Sequence, residues 1–345
     1  MAHKRLVVDA AIGQAWEDHG ARSGLGPDAL RIPSEPQRLR HALDLLGQLS
    51  GELDRSRTAL DEAAGDDDVR GETAHALQRV VRFSRFTARR DRDLLDDLAQ
   101  AVQHLVEVLG QVQGGEMEQL RTRWETARHE LVAAARAKDH ERPGQLVAAL
   151  DAQVTEPYRQ LFRRLHGALP EPEAHLLAVD DRLEAETRTY KQAARGALEE
   201  FQHAVQRVRQ AEEAVRAHLA WEPREKRQPE DVPAGGAHAD KDPVGISGPR
   251  VLNRLRSALD QGADALEHAI PQLGPIARSI EDGLLPDHDE QHQERRAFRE
   301  EWEQHLQRRI KRMRFVSTTS DKMAHALAKL DESTAAEIFK DQDDD

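Results

Sequence analysis

Eight side chains within one short stretch could meet phosphate: Arg79, Arg82, Phe83, Arg85, Phe86, Arg89, Arg90 and Arg92. Arginines three to four residues apart line one side of a helix. Such a face, with Arg79, Arg82, Arg85, Arg89 and Arg92 as its charges, can neutralise the phosphates of nucleic acid or of a lipid surface. A second basic stretch runs through Arg295, Arg296, Arg299, Arg308, Arg309, Lys311, Arg312 and Arg314. The competing reading is a solvated Arg-rich face balanced by Asp and Glu of a neighbouring helix.

Histidines offer less specific chemistry. His288 and His292 are four apart, so on a helix both imidazoles could face one metal ion. The alternative is the polar start of a helix after Pro286. Four pairs, Arg70/His75, Arg123/His129, Arg159/His166 and Arg299/His305, have the Arg-x4–6-His spacing that resembles HEPN-type ribonucleases. A pattern met four times in a chain with 17 histidines discriminates little.

The chain ends carry acidic residues in a suggestive order. Asp9 follows Leu6-Val7-Val8, Glu300-Glu301-Trp302 lies on a late helical stretch with His305 after it, and Asp341 follows Lys340. This order resembles PIN-like nucleases. By that resemblance Asp9, Glu301 and Asp341 would hold Mg²⁺ or Mn²⁺ and ready a water for phosphodiester cleavage. The resemblance is confined to the two ends, and the central helical region matches no nameable family. Outside it no cofactor is expected. No Gly-rich phosphate loop and no Ser/His/Asp nucleophile pattern is recognisable.

The elements that must position these residues are helices. Of 345 residues, 33% are charged and only 4% aromatic, with both signs interspersed. Long helices with a narrow apolar stripe fit this better than a thick core, which draws on aromatic area. The expected class is predominantly all-α, with long antiparallel helices and coiled-coil-like seams. One short N-terminal strand is expected at residues 5–12. Helices are predicted over 35–63, from the Gly65–Asp68 break to Gln113, over 116–139, and over 145–167 with a kink at Pro157. A long one then runs from Pro170 and Pro172 to about residue 220. Gly114-Gly115 is expected to end the second of these. Two seams stand out: Leu95, Leu98, Val102, Leu105, Leu109 and Val112, and Tyr190 through Val215, both in 3–4 rhythm.

Residues 222–250 hold five prolines and four glycines and read as a linker. Helices at 251–270, 290–314 and 320–340 follow, with Ser317–Ser320 as a cap before the last and an acidic tail at 341–345. The chain therefore divides by composition into an N-terminal segment (1–50), a long-helix bundle (51–221), the linker and a C-terminal helical segment (251–345).

The net charge of −13 argues against polyanion binding through the overall field. The absence of cysteine removes disulfide and thiol chemistry. No membrane span or signal peptide is visible, and a cytoplasmic location is expected. The leading functional expectation is a helical interaction or scaffold protein acting through extended surfaces, with the seams at 95–112 and 194–215 exposed for that purpose. A protein partner or self-association is expected. The alternatives are a PIN-like metal-dependent nuclease, degenerate or active, and nucleic-acid or membrane-surface binding through the Arg-rich helix.

Overall fold

Apolar residues in 3–4 rhythm build helices wherever the chain is described. The structure, a computed structural model, describes residues 26–64, 72–167, 169, 181–220, 249–286 and 291–340. Among them there is no strand, so the predominantly all-α class holds. The strand expected at 5–12, the linker body at 221–248 and the tail at 341–345 lie outside the described residues. The helices are α1 (Pro36–Ala64), α2 (Glu72–Gln111), α3 (Met117–Ala137), α4 (Pro143–Thr155), α5 (Arg159–His166), α6 (Glu184–Leu219), α7 (Pro249–Gly283) and α8 (Gln291–Lys340).

These helices serve two compact units, each assembled from three separated pieces of sequence. The first takes residues up to 37, 103–214 and 282–291. The second takes 38–102, 215–281 and 292–345.

In the first unit, α4 starts at Pro143, whose missing N–H costs nothing at a helix start. The kink expected at Pro157 is present: a 3₁₀ turn, Glu156–Tyr158, separates α4 from α5. The helix end expected at Gly114-Gly115 is not found. The chain passes through a π-helical turn, Val112–Glu116, straight into α3. Buried Val112 and buried Met117 are five residues apart, a step that an α-helix would rotate off the core. The wider π turn keeps both inward. Its Gln113 reaches back with Nε2 donating to the carbonyls of Ile32 (3.1 Å) and Ser34 (3.0 Å). That fastens the irregular segment carrying buried Leu30 and Ile32.

Neither Gly114 nor Gly115 has a positive φ, and a Cβ at either would meet open space. Gly115→Ala is therefore expected to raise stability by about 0.5–1 kcal/mol, by narrowing the unfolded ensemble. Urea unfolding checks this. A loss of stability would mean that the glycines do form a turn.

In the second unit, α7 continues past residue 270 through Pro271 and Pro275. Both prolines face solvent, as does Glu267, whose carbonyl Pro271 leaves without a donor. Water can take that role, and burial of Leu273, Ile276 and Ile280 further along offsets the cost of each proline, about 3 kcal/mol. Gly262 sits where α1, α7 and α8 meet: a Cβ there would lie 3.3 Å from Ser56 Oγ, 3.5 Å from Met313 Sδ and 3.6 Å from Leu60 Cγ.

α8 is one helix where two were expected. Ser317–Ser320 do not cap its second half. Thr318, Thr319 and Ser320 turn their hydroxyls onto the carbonyls of Arg314, Phe315 and Val316, each at 2.9 Å. This back-bonding lets hydroxyl residues sit inside a helix.

The seams are buried within the chain and not exposed. Leu95, Leu98, Val102, Leu105, Leu109 and Val112 are all at most 1% exposed. Tyr190, Ala194, Ala197, Phe201, Ala204, Val208 and Val215 are equally buried. The expectation that function lives in open seams is thereby corrected: their apolar edges already meet other helices of the same chain.

Candidate docking surface

With the seams consumed as core, what the chain offers a partner lies on its surface. Two large apolar side chains stand exposed among the described residues, Phe86 (44%) and Phe315 (74%), both in the second unit. Each sits in a basic stripe of the same spacing. On α2 it reads Arg79, Arg82, Phe86, Arg89, and on α8 it reads Arg308, Lys311, Phe315, Thr318. At 3.6 residues per turn the four α2 positions fall within about 80° of one another. They form one outward stripe.

The arginine run on α2 is therefore two faces, not one. Arg85 pairs with Asp61, and Arg92 pairs with Asp54 (2.8 Å) and Asp96 (3.5 Å). Asp54 and Asp61 belong to α1, so this face is balanced by an acidic neighbour. Arg79, Arg82 and Arg89 form no ion pair among the described residues, and Arg89 is exposed. The same outward stripe continues into Asp93 and Asp97, both exposed and neither ion-paired among the described residues. α2 thus presents a basic half with an aromatic ring in it, then an acidic half.

Much of the second basic stretch is used internally. Arg314 is held by Asp260 (3.2 Å), Asp264 and Glu267 (3.1 Å) of α7. Arg296 pairs with Glu300 (2.7 Å), and Arg299 lies 3.8 Å from Glu303. Arg312 lies over the Phe83 ring, 5.0 Å from its centre. Arg308 and Lys311 are the exposed members beside Phe315.

Two buried polar networks were not legible as sites. In the second unit, Asp91, His305 and Arg309 are each at most 3% exposed. His305 Nε2 lies 3.0 and 3.1 Å from the two Asp91 oxygens. Arg309 donates to Asp91 and, at 3.2 Å, to the Ser84 carbonyl. His305 Nδ1 and Arg309 Nε find no hydrogen-bond partner among the described residues. The Trp302 ring meets His305 edge-on at 6.0 Å. This network joins α2 to α8 and is shielded from solvent on all sides, so it is a structural tie.

In the first unit, Tyr190 donates its hydroxyl to Asp151 and accepts from Trp124 Nε1 at 2.8 Å. Arg128 Nη2 is 3.2 Å from the same carboxylate. Burial raises the Asp151 carboxyl from 3.8 to about 6, against the opposing pull of Arg128 and the hydrogen bonds from Tyr190 and Trp124. Burial first, then the Asp151 charge, raises the Tyr190 phenol as well.

Between these two Asp151 values the folded chain keeps a proton that the unfolded chain has released. Stability from this group is therefore greatest below that window and falls as pH rises through it. The wild type should lose on the order of 3 kcal/mol relative to Asp151→Asn between pH 4 and pH 7. Urea unfolding of both at the two pH values reads this out. A pH-independent difference would show an ordinary ion pair instead.

Most of the remaining expected site residues fall outside what the structure describes. Asp9, Asp341 and His288 lie outside the described residues, and His292 falls at the start of α8. Glu301 is half-exposed on α8. No group of three or more His, Asp or Glu positioned to hold a metal occurs among the described residues. Of the Arg/His pairs, Arg123 bonds Glu200 at 2.6 Å, Arg159 lies 3.3 Å from Glu156, and His166 Nε2 contacts the Ala29 carbonyl at 3.1 Å. Among the described residues no helix is long and apolar enough to cross a membrane. No protein-family model, curated protein or solved structure matches this chain.

Proposed function

We propose that this chain is a helical interaction protein that docks through the outward faces of α2 and α8 in its second unit. The observation that carries this is the pair of exposed phenylalanines, each within an identically spaced basic stripe. An exposed aromatic ring loses apolar area to water, and aromatic and Arg side chains are the commonest anchors of protein interfaces. Three arginines with no ion pair among the described residues on the α2 face add charges that can select a partner. Paired acids neutralise much of the remaining basic sequence, which favours a protein surface over a nucleic-acid track needing many phosphate contacts.

A photo-cross-linking amino acid placed at Phe86 or at Phe315 tests this in the cells that make the protein. Discrete adducts should form at both positions and not at Glu125, an exposed site on α3. They should disappear when Arg82→Glu and Arg89→Glu are added. An absence of adducts, or the same adducts at all three sites, would overturn the reading.

A further inference from the structure

The stripe on α2 is complementary to itself. Arg79, Arg82, Phe86 and Arg89 occupy its first half, Asp93 and Asp97 its second, and all six lie on one outward face. Segregated charge of this kind repels a parallel copy, because like ends meet. An antiparallel copy related by a two-fold axis near residues 87–88 brings opposite charges together. Arg82 then faces Asp93 of the second copy, Arg79 faces Asp97, and Phe86 faces the second Phe86 and Arg89. A two-fold contact uses the same patch on both copies, which requires such self-complementarity.

The α8 stripe agrees with this arrangement. Phe83 and Ser84 lie beside Arg312 and Arg309, and Asp91 beside His305 and Arg309. α2 and α8 therefore run antiparallel. Lys311 and Phe315 come level with the basic half of α2. In the paired copy they fall level with its acidic half, so the second basic stripe adds to the match.

We infer that the docking partner of the α2 face is a second copy of this chain, bound antiparallel through residues 79–97. This rests on the docking reading above and names its partner. The stripe is about 28 Å long and about 10 Å wide. That is well below the roughly 800 Å² each partner gives to a standard interface, so the pairing is weak and concentration-dependent.

Charge exchange tests the inference with the full chain. The variant Arg82→Glu/Arg89→Glu has an acidic stripe from residue 82 onward. The variant Asp93→Lys/Asp97→Lys has a basic stripe throughout. By sedimentation velocity the wild type should dimerise as its concentration rises. Each variant alone should dimerise at least 10-fold more weakly. A 1:1 mixture should recover the dimer, since the acidic stripe of one meets the basic stripe of the other. All six positions are at the surface, and far-UV circular dichroism confirms the fold of each variant.

A second reading uses the absence of native cysteine. Arg89→Cys lies near the axis and should give a disulfide-linked dimer under mild oxidation. Asp97→Cys should not, because two such residues would stand about 28 Å apart along the helices. A wild type that stays monomeric overturns the pairing, as does a dimer indifferent to both charge variants. Failure of the mixture to recover, or efficient linkage through Asp97→Cys, does so too. Photo-adducts of another mass at position 86 would leave docking standing and remove self-pairing alone.

Discussion

Leu105→Asp is expected to leave no cooperatively folded protein. Leu105 is fully buried in the first unit, on the α2 seam. Removing its side chain costs about 2–5 kcal/mol in lost burial and cavity. Placing a carboxylate there adds several kcal/mol of desolvation with no partner to offset it. The sum approaches or exceeds the 5–15 kcal/mol that typically separates folded from unfolded chains. Leu105→Met, which keeps the volume, should stay within about 1.5 kcal/mol of wild type. Thermal unfolding followed by circular dichroism distinguishes the two. If Leu105→Asp kept its transition and changed only its oligomeric state, the seam would be an intermolecular surface and the assignment of 95–112 to the core would fail.

The second large effect is expected at Asp91. Asp91→Ala leaves Arg309 buried without its counter-ion, a loss of about 3–5 kcal/mol by urea unfolding. The triple replacement Asp91→Leu/His305→Leu/Arg309→Met should recover most of that. A buried ionic group exchanged whole for apolar side chains is often neutral or stabilising. Recovery is favoured here because His305 Nδ1 and Arg309 Nε have no hydrogen-bond partner among the described residues. The network thus fixes how α2 meets α8 more than it adds stability. An Asp91→Ala variant within 1 kcal/mol of wild type would show that Arg309 reaches solvent.

Periodicity made the helices legible, because the 3–4 rhythm of Leu and Ala is a local signal. The breaks were read less well. Gly114-Gly115 and Pro271 carry strong local stop signals, yet burial on both sides carries the helix through them. Ser317–Ser320 looked like a cap because the sequence does not show that their hydroxyls bond back one turn. The seams were recognised as apolar, but a stripe of sequence does not say whether its partner is the same chain or another. That depends on contacts between distant segments, such as those drawing 38–102, 215–281 and 292–345 into one unit.

The basic run from Arg79 to Arg92 was legible as a feature. Its division into a paired and an outward face was not, since Asp54 and Asp61 lie on another helix. Phe315 carries a local signal too: it repeats the spacing around Phe86 within the second basic stretch. The Asp91–His305–Arg309 and Asp151–Tyr190–Trp124 networks join residues far apart in sequence. No local pattern announces them.

On the reading proposed above, binding resides in the outward face around Phe86, and the α2 seam is internal. Sedimentation velocity on wild type, Phe86→Ser and Leu105→Met across a concentration series tests it most directly. Wild type and Leu105→Met should shift together from monomer to dimer, while Phe86→Ser should remain monomeric with an unchanged unfolding midpoint. A Phe86→Ser protein that dimerises as wild type does would contradict it.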